Sequence, residues 1–296
     1  MHPSGLRHLL SLIAPEGLLL VLVAVLHASD LLPAPVVTGS VHVALLTYGV
    51  GALVAWRLRR NRVVLALLAL ALVAPILAAK GATSVAAGLQ VPAPGRQVMV
   101  PAAALFILAN FLLLGVLPDR AAIGRMGLAL LAVVLAQAVL LAVTVARASE
   151  RLVSWLTRDL LPGWLGLDSP IADSVLLVGS LALLSIAVFG LLRPNPVRRG
   201  ILWATASLLF AVNETYVGGA PVVYLLTAGI VLITSVVESS FALAYRDALT
   251  GLPSRRAFTE ELSRLGSRYT IAMVDVDRFK RINDRYGHDI GDQVLR

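Results

Sequence analysis

Eight stretches of the chain are almost continuously apolar, each near the roughly 20 residues a helix needs to cross a bilayer. They run Leu9–Leu26, Val36–Trp56, Val63–Ala79, Val98–Leu117, Gly127–Ala146, Val175–Leu192, Ile201–Val217 and Val222–Tyr245. The third and seventh are short. The last is expected to leave the membrane near Glu238 and continue as helix, because nothing from Val231 to Arg246 breaks one. At Arg246 the pattern changes. Charged positions become frequent, and short apolar runs alternate between helix and strand periods. The predicted architecture is therefore an α-helical polytopic membrane bundle of about eight spans over residues 1–245. The start of a soluble α/β domain follows over 246–296.

Composition agrees with this pattern. Of the 296 residues, 58% are hydrophobic and 14% charged, against about 45–50% and about 25% in soluble domains. The mean hydropathy is +0.85. The formal net charge is +8, carried almost wholly by arginine. Those arginines stand beside apolar runs, which fits membrane orientation and not a nucleic-acid partner. Arg57, Arg59, Arg60 and Arg62 lie between the second and third spans. Arg120 and Arg125 lie between the fourth and fifth, and Arg193, Arg198 and Arg199 between the sixth and seventh. The opposite loops are longer and poorer in cations, with Lys80 and Arg96 in one and Arg147, Arg151 and Arg158 in another. Every alternate loop agrees, so both termini are expected on the cytoplasmic side. The outer loop 147–170 holds Trp155 and Trp164, suited to the headgroup level or to packing on the bundle. The chain has no cysteine, which excludes disulfides, thiolate nucleophiles and cysteine metal sites. Pro15 and Glu16 interrupt the first run, and no small-residue cleavage site follows, so it reads as a retained helix.

The chemistry is concentrated at the end of the chain. In Asp247–Arg256, DALTGLPSRR, Gly251 and Pro253 mark a turn, and Ser254 is placed to cap a helix with apolar face Phe258, Leu262 and Leu265. The run Ile271–Val274 reads as a strand buried on both faces and ends in Asp275 and Asp277, two carboxylates on one side. A helix with face Phe279, Ile282 and Tyr286 follows. Gly287 breaks it, and a second helix begins near Asp289. A carboxylate at a strand end before a helix start can hold a hard cation bridging phosphates. The helix-terminal N–H groups and Lys280 can meet phosphate oxygens. Asp292 can accept the N1–H and N2–H₂ of guanine, and the Asn283 amide can serve its ring acceptors. On residue chemistry alone, this is a nucleotide–metal site or a set of solvated and capping carboxylates.

Two blocks, DALTGLPSRR and VDVDRFKRINDRYGHDIGDQVLR, resemble the opening of GGDEF domains. The family pattern there is D-x-L-T-G-L-x-N-R-R, then D-x-D-x-F-K-x-x-N-D-x-x-G-H-x-x-G-D-x-x-L. The resemblance covers Asp247–Arg296 and departs at Ser254, where the family usually has Asn; both cap helices about equally well. It implies a bacterial diguanylate cyclase that joins two GTP molecules into cyclic di-GMP, each bound to one subunit of a homodimer. It implies Mg²⁺ held by Asp275 with the Val276 carbonyl, phosphates near the backbone of Arg278, Phe279 and Lys280, and guanine on Asn283 and Asp292. The Gly-Gly-Asp/Glu-Glu-Phe turn that names the family does not occur in the 296 residues. No catalytic residue is therefore assigned, and residues 246–296 are expected to be the N-terminal part of the domain, inactive alone. With the bundle, the resemblance implies a multi-pass protein of the bacterial inner membrane, with GTP and the lipid bilayer as partners. The alternative is a GGDEF-like domain that binds nucleotide without catalysis, ahead of a phosphodiesterase domain. Polar residues in or near the spans, His27, His42, Gln137, Asn213 and Glu214, are candidates for sensing or for interhelical hydrogen bonds.

Overall fold

The computed structural model describes residues 15–78, 93–117, 125–158, 160, 169–247 and 249–296. Thirteen helices make up its regular structure: α1 (Glu16–Ala28), α2 (Ala34–Val37), α3 (Val41–Arg57), α4 (Asn61–Ala78), α5 (Ala93–Val116), α6 (Arg125–Ala146), α7 (Glu150–Leu156), α8 (Asp173–Leu192), α9 (Pro196–Val217), α10 (Pro221–Tyr245), α11 (Arg255–Arg264), α12 (Phe279–Tyr286) and α13 (His288–Leu295). The chain divides into two compact units, Met1–Val236 and Val237–Arg296.

In the first unit, each of the eight apolar runs overlaps one helix of at least 13 residues. Among the described residues, five helices are long and apolar enough to cross a membrane: Asn61–Ala78, Ala93–Val116, Leu128–Ala146, Asp173–Leu192 and Pro221–Tyr245. α1 and α3 are apolar but shorter. α9 has 22 residues but carries Arg198, Arg199, Asn213 and Glu214, which lower its hydropathy. The parts of the sequence reading that fall on Leu9–Ala14, Lys80, Arg120 and Trp164 lie outside the described residues.

The helices of this unit are held by close approach and by hydrogen bonds as well as by apolar contact. The buried core joins α4, α5, α8 and α9 through Leu67, Leu70, Ile107, Phe111, Ile186 and Leu208. A Cβ on Gly200 would meet Ser235, so α9 and α10 approach there as only glycine allows. Tyr48 of α3 donates to the Leu225 carbonyl at 2.9 Å, with its ring against Gly229.

Charged side chains also hold this unit together, in places the sequence pattern does not reveal. Glu16, 1% exposed, pairs with Arg199 at 2.6 Å, and His27 lies 3.3 Å from Glu214. The first pair joins the starts of α1 and α9 and the second joins their ends, so these helices run in the same direction. Asn110 donates to Gln137 at 2.7 Å, linking α5 to α6. His42 is the second residue of α3 and is exposed, which puts it at a helix start and not in mid-span. Arg62 and Arg198, both 4% exposed, turn inward. Arg62 donates to the Leu114 and Gly115 carbonyls. Arg198 donates to Gly115 at 2.8 Å and to Arg193 at 2.6 Å. These carbonyls belong to the last turns of α5 and α8 or follow them, where the helix leaves acceptors unsatisfied.

In the second unit, no strand occurs among the described residues; an isolated antiparallel bridge joins Arg246 and Pro253. The strand expected over Ile271–Val274 and ending in Asp275 and Asp277 is not formed. Residues 271–276 are irregular, and Met273 and Val274 are 96% and 95% exposed. A strand apolar on both faces is stabilised by neighbouring strands and covering helices, and none of these packs on it among the described residues.

Candidate functional site

The site is built in the second unit from two local devices. The first is the turn that follows α10. Asp247 Oδ1 accepts from the Leu249 N–H at 3.1 Å and from the Thr250 N–H and hydroxyl, each at 2.9 Å. Gly251 closes the turn at φ +70°, a conformation that glycine adopts without cost. The Asp247 N–H donates to Leu252 and the Ser254 N–H to Tyr245, each at 2.8 Å. Ser254 donates its hydroxyl to the Ala244 carbonyl at 2.8 Å and accepts from the Ala257 N–H, capping α11 as expected. Arg256 stacks over the Tyr245 ring.

The hydrogen bonds from the Thr250 N–H, the Thr250 hydroxyl and the Leu249 N–H hold the Asp247 carboxyl below the usual aspartate range. A group whose folded pKa is depressed contributes stability above its unfolded value, about 3.9. That contribution is lost as pH falls through the lowered folded value. Hydrogen exchange at Leu249 and Thr250, normalised to intrinsic rates, is therefore expected to stay slow down to about pH 4 and to quicken below it. In Asp247→Ala it is expected to be fast throughout. Equal protection in both proteins would remove Asp247 as the organiser of the turn.

The second device is the turn into α12. Asp275 is exposed, and its Oδ1 accepts from the Val276 N–H at 2.9 Å. The Val276 carbonyl accepts from the Phe279 N–H at 3.3 Å. Arg278 caps α12 at φ +53°, the left-handed region that non-glycine residues seldom occupy. Asp277 lies 3.7 Å from the Arg278 guanidinium. Nothing in the sequence pattern singles out this backbone. Gly287, at φ +86°, then lets α13 fold against α12.

Where α12 and α13 meet, the Asn283 amide oxygen occupies the place a Cβ on Gly291 would take, and the Phe279 ring comes within 3.4 Å of that place. This oxygen is buried and has no hydrogen-bond partner among the described residues. A buried acceptor without a donor is costly; the next residue after Gly291, Asp292, is exposed. The structure thus brings Phe279 and Asn283 against Gly291, the residue before Asp292. It does not link Asp275 or Lys280 to them by a hydrogen bond or ion pair among the described residues.

The family described as diguanylate cyclase, GGDEF domain, matches residues 244–296. The response regulator PleD of Caulobacter vibrioides (strain NA1000 / CB15N) is 47% identical over 66 residues, 20% of this chain and 14% of PleD. Diguanylate cyclase DgcP of Escherichia coli (strain K12) is 45% identical over 74 residues, 22% of each chain. Diguanylate cyclase VdcA of Vibrio cholerae is 45% identical over 53 residues, 17% of this chain and 16% of VdcA. The chain thus spans from 14% to 22% of the length of these relatives. No solved structure matches it.

Proposed function

We propose, on the premise that residues 244–296 are a segment of the GGDEF diguanylate cyclase family, that this protein is a membrane-bound diguanylate cyclase. It joins two GTP into cyclic di-GMP, one GTP on each subunit of a homodimer, under control of a signal received by its helical bundle. The observation that carries this reading is the packing of Phe279 and Asn283 of α12 against Gly291 of α13, next in sequence to the exposed Asp292; Asp292 can accept the N–H groups of guanine and the Asn283 amide can serve its ring acceptors. Lys280, in the first turn of α12, would offer its ammonium to phosphate oxygens.

Asp275 and the Val276 carbonyl fit a magnesium ion as part of its ligand set. No cluster of three acidic or histidine side chains occurs among the described residues, but Mg²⁺ commonly takes one or two carboxylates, waters and substrate phosphates. When bound, the metal supplies charge to offset the phosphates. The chain's own residues orient the base and aim the α-phosphate at the 3′-hydroxyl of the other GTP. Each attack releases pyrophosphate. The Gly-Gly-Asp/Glu-Glu-Phe turn is absent from the 296 residues, so we expect no turnover from them alone.

The test of the base site uses a protein that carries the whole GGDEF domain behind this bundle. Asp292→Ala is expected to weaken GTP binding and relax its preference over ATP, since an unmatched polar edge costs on the order of 1–3 kcal/mol. Gly291→Ala is expected to displace the Asn283 amide and lower GTP affinity, with the fold retained. Unchanged nucleotide preference in both variants would end the guanine assignment.

In the same reading, residues 1–245 form eight spans of the bacterial inner membrane with both termini cytoplasmic, and 246–296 begin the soluble domain. The alternating arginines support this. So do the parallel directions of α1 and α9, as two odd-numbered crossings require. The absence of cysteine gives a clean measurement. An impermeant thiol reagent applied to intact cells should label Ser149→Cys and leave Asn195→Cys unlabelled. External labelling of Asn195→Cys would reverse the orientation.

A further inference from the structure

The four arginines at the junction of α3 and α4, Arg57, Arg59, Arg60 and Arg62, divide by what their side chains do. Arg62 is buried on the Leu114 and Gly115 carbonyls, and Arg60 is half-buried and has a partner of its own. Arg57 and Arg59 are exposed. Together with Trp56 and Asn61 they line a concavity of about 510 Å³ at the end of α3.

The backbone there is unusual. The Arg60 N–H donates to Ala55 and the Arg59 N–H to Trp56, the two bonds of a helix end whose left-handed position usually holds glycine. Here that position is Arg59, at φ +57°. A side chain in this conformation carries strain that glycine would avoid, and such strain tends to coincide with function.

The helix leading to this concavity has two faces. Ala44, Tyr48, Gly51 and Ala55 are buried in the bundle. Leu46, Val50 and Leu53 are 69%, 54% and 62% exposed, and their spacing continues to Arg57 on the same face. The apolar stripe from Leu46 to Arg57 is about 16 Å long at 1.5 Å per residue, comparable to an acyl chain. Trp56, 65% exposed at its end, suits the level of the headgroups.

We propose that this place binds an anionic phospholipid. The phosphate lies against the Arg57 and Arg59 guanidinium groups, and an acyl chain runs along Leu46, Val50 and Leu53. The inference rests on the membrane reading of the bundle. The cationic pocket alone would suit any phosphate, but the stripe that ends in it selects a lipid. Arginine matches phosphate oxygens in pairs, and among the described residues no carboxylate lines the concavity.

The experiment uses the purified 296-residue protein in detergent, with lipids titrated and bound lipids counted by native mass spectrometry. Dioleoyl phosphatidylglycerol is expected to bind more tightly than dioleoyl phosphatidylcholine. Arg57→Gln and Arg59→Gln should each weaken the anionic lipid about fivefold, the effect of one surface cation near anionic lipid. The double variant should lose more than either single variant, with a departure from the product that marks the shared phosphate. Arg147→Gln, an exposed arginine far along the chain, should change nothing, and Arg57→Lys should keep most of the affinity. Dihexanoyl phosphatidylglycerol and sn-glycerol 3-phosphate are expected to compete weakly. Equal binding of the two dioleoyl lipids would overturn the proposal. So would an unchanged double variant, or glycerol phosphate competing as well as the lipid, which would mark a soluble phosphate ligand. A chain that stays monodisperse without detergent or lipid would instead overturn the membrane reading.

Discussion

Asp275→Ala is expected to abolish cyclic di-GMP synthesis, by at least about a hundredfold, in a protein that carries the whole GGDEF domain behind this bundle. The size follows from the charge involved. Two triphosphates must approach each other, and a metal ligand contributes through the cation that offsets them. Asp275 is exposed, and its hydrogen bond is to the N–H of the next residue. Its loss should therefore leave the fold intact, with helix content and melting nearly unchanged. Asp277→Ala provides the contrast. That carboxylate pairs at 3.7 Å with Arg278, both being well exposed, and exposed pairs contribute little. Product is resolved by chromatography after incubation with GTP and Mg²⁺. Full activity in Asp275→Ala would remove the metal assignment. Loss restored by raised Mg²⁺ would strengthen it.

One residue inserted after Ala244 is expected to change cyclase output sharply in that same protein, and seven residues to restore much of it. α10 runs to Tyr245, and no Gly or Pro interrupts Val231–Arg246. The turn that opens the family segment is bonded directly to the end of this helix. The Ala244 carbonyl takes the Ser254 hydroxyl and the Tyr245 carbonyl takes the Ser254 N–H, each at 2.8 Å. The Arg256 guanidinium covers the Tyr245 ring. In the proposed reading, a signal would reach the family segment as rotation or shift of α10. One extra residue turns everything after it by about 100°, whereas seven amount to nearly two full turns. A periodic dependence of output on insertion length is the expected result. Equal output at all lengths would show a flexible tether and remove helix phase as the signal.

The apolar runs by themselves determined where the long helices of the first unit lie, because a helix satisfies its own backbone hydrogen bonds and shows in length and hydropathy; the short α2 and α7 were not marked by them. The motif residues likewise determined the family segment. Asp247, Gly251 and Ser254 act within a few residues of themselves, so their turn and cap were legible as sequence. Tertiary structure decided what depends on distant partners. It turned Arg62 and Arg198 from loop charges into caps for carbonyls of other helices. It paired Glu16 with Arg199 and His27 with Glu214 across the bundle, and it split the Arg57–Arg62 cluster into buried and exposed members. It also left residues 271–276 without the ladder their apolar pattern predicts. A strand's hydrogen bonds belong to its neighbours and a helix's to itself, so helices could be read from local pattern and the strand could not. The unpartnered Asn283 oxygen, too, exists only because α13 folds back on α12 and brings Gly291 beneath it.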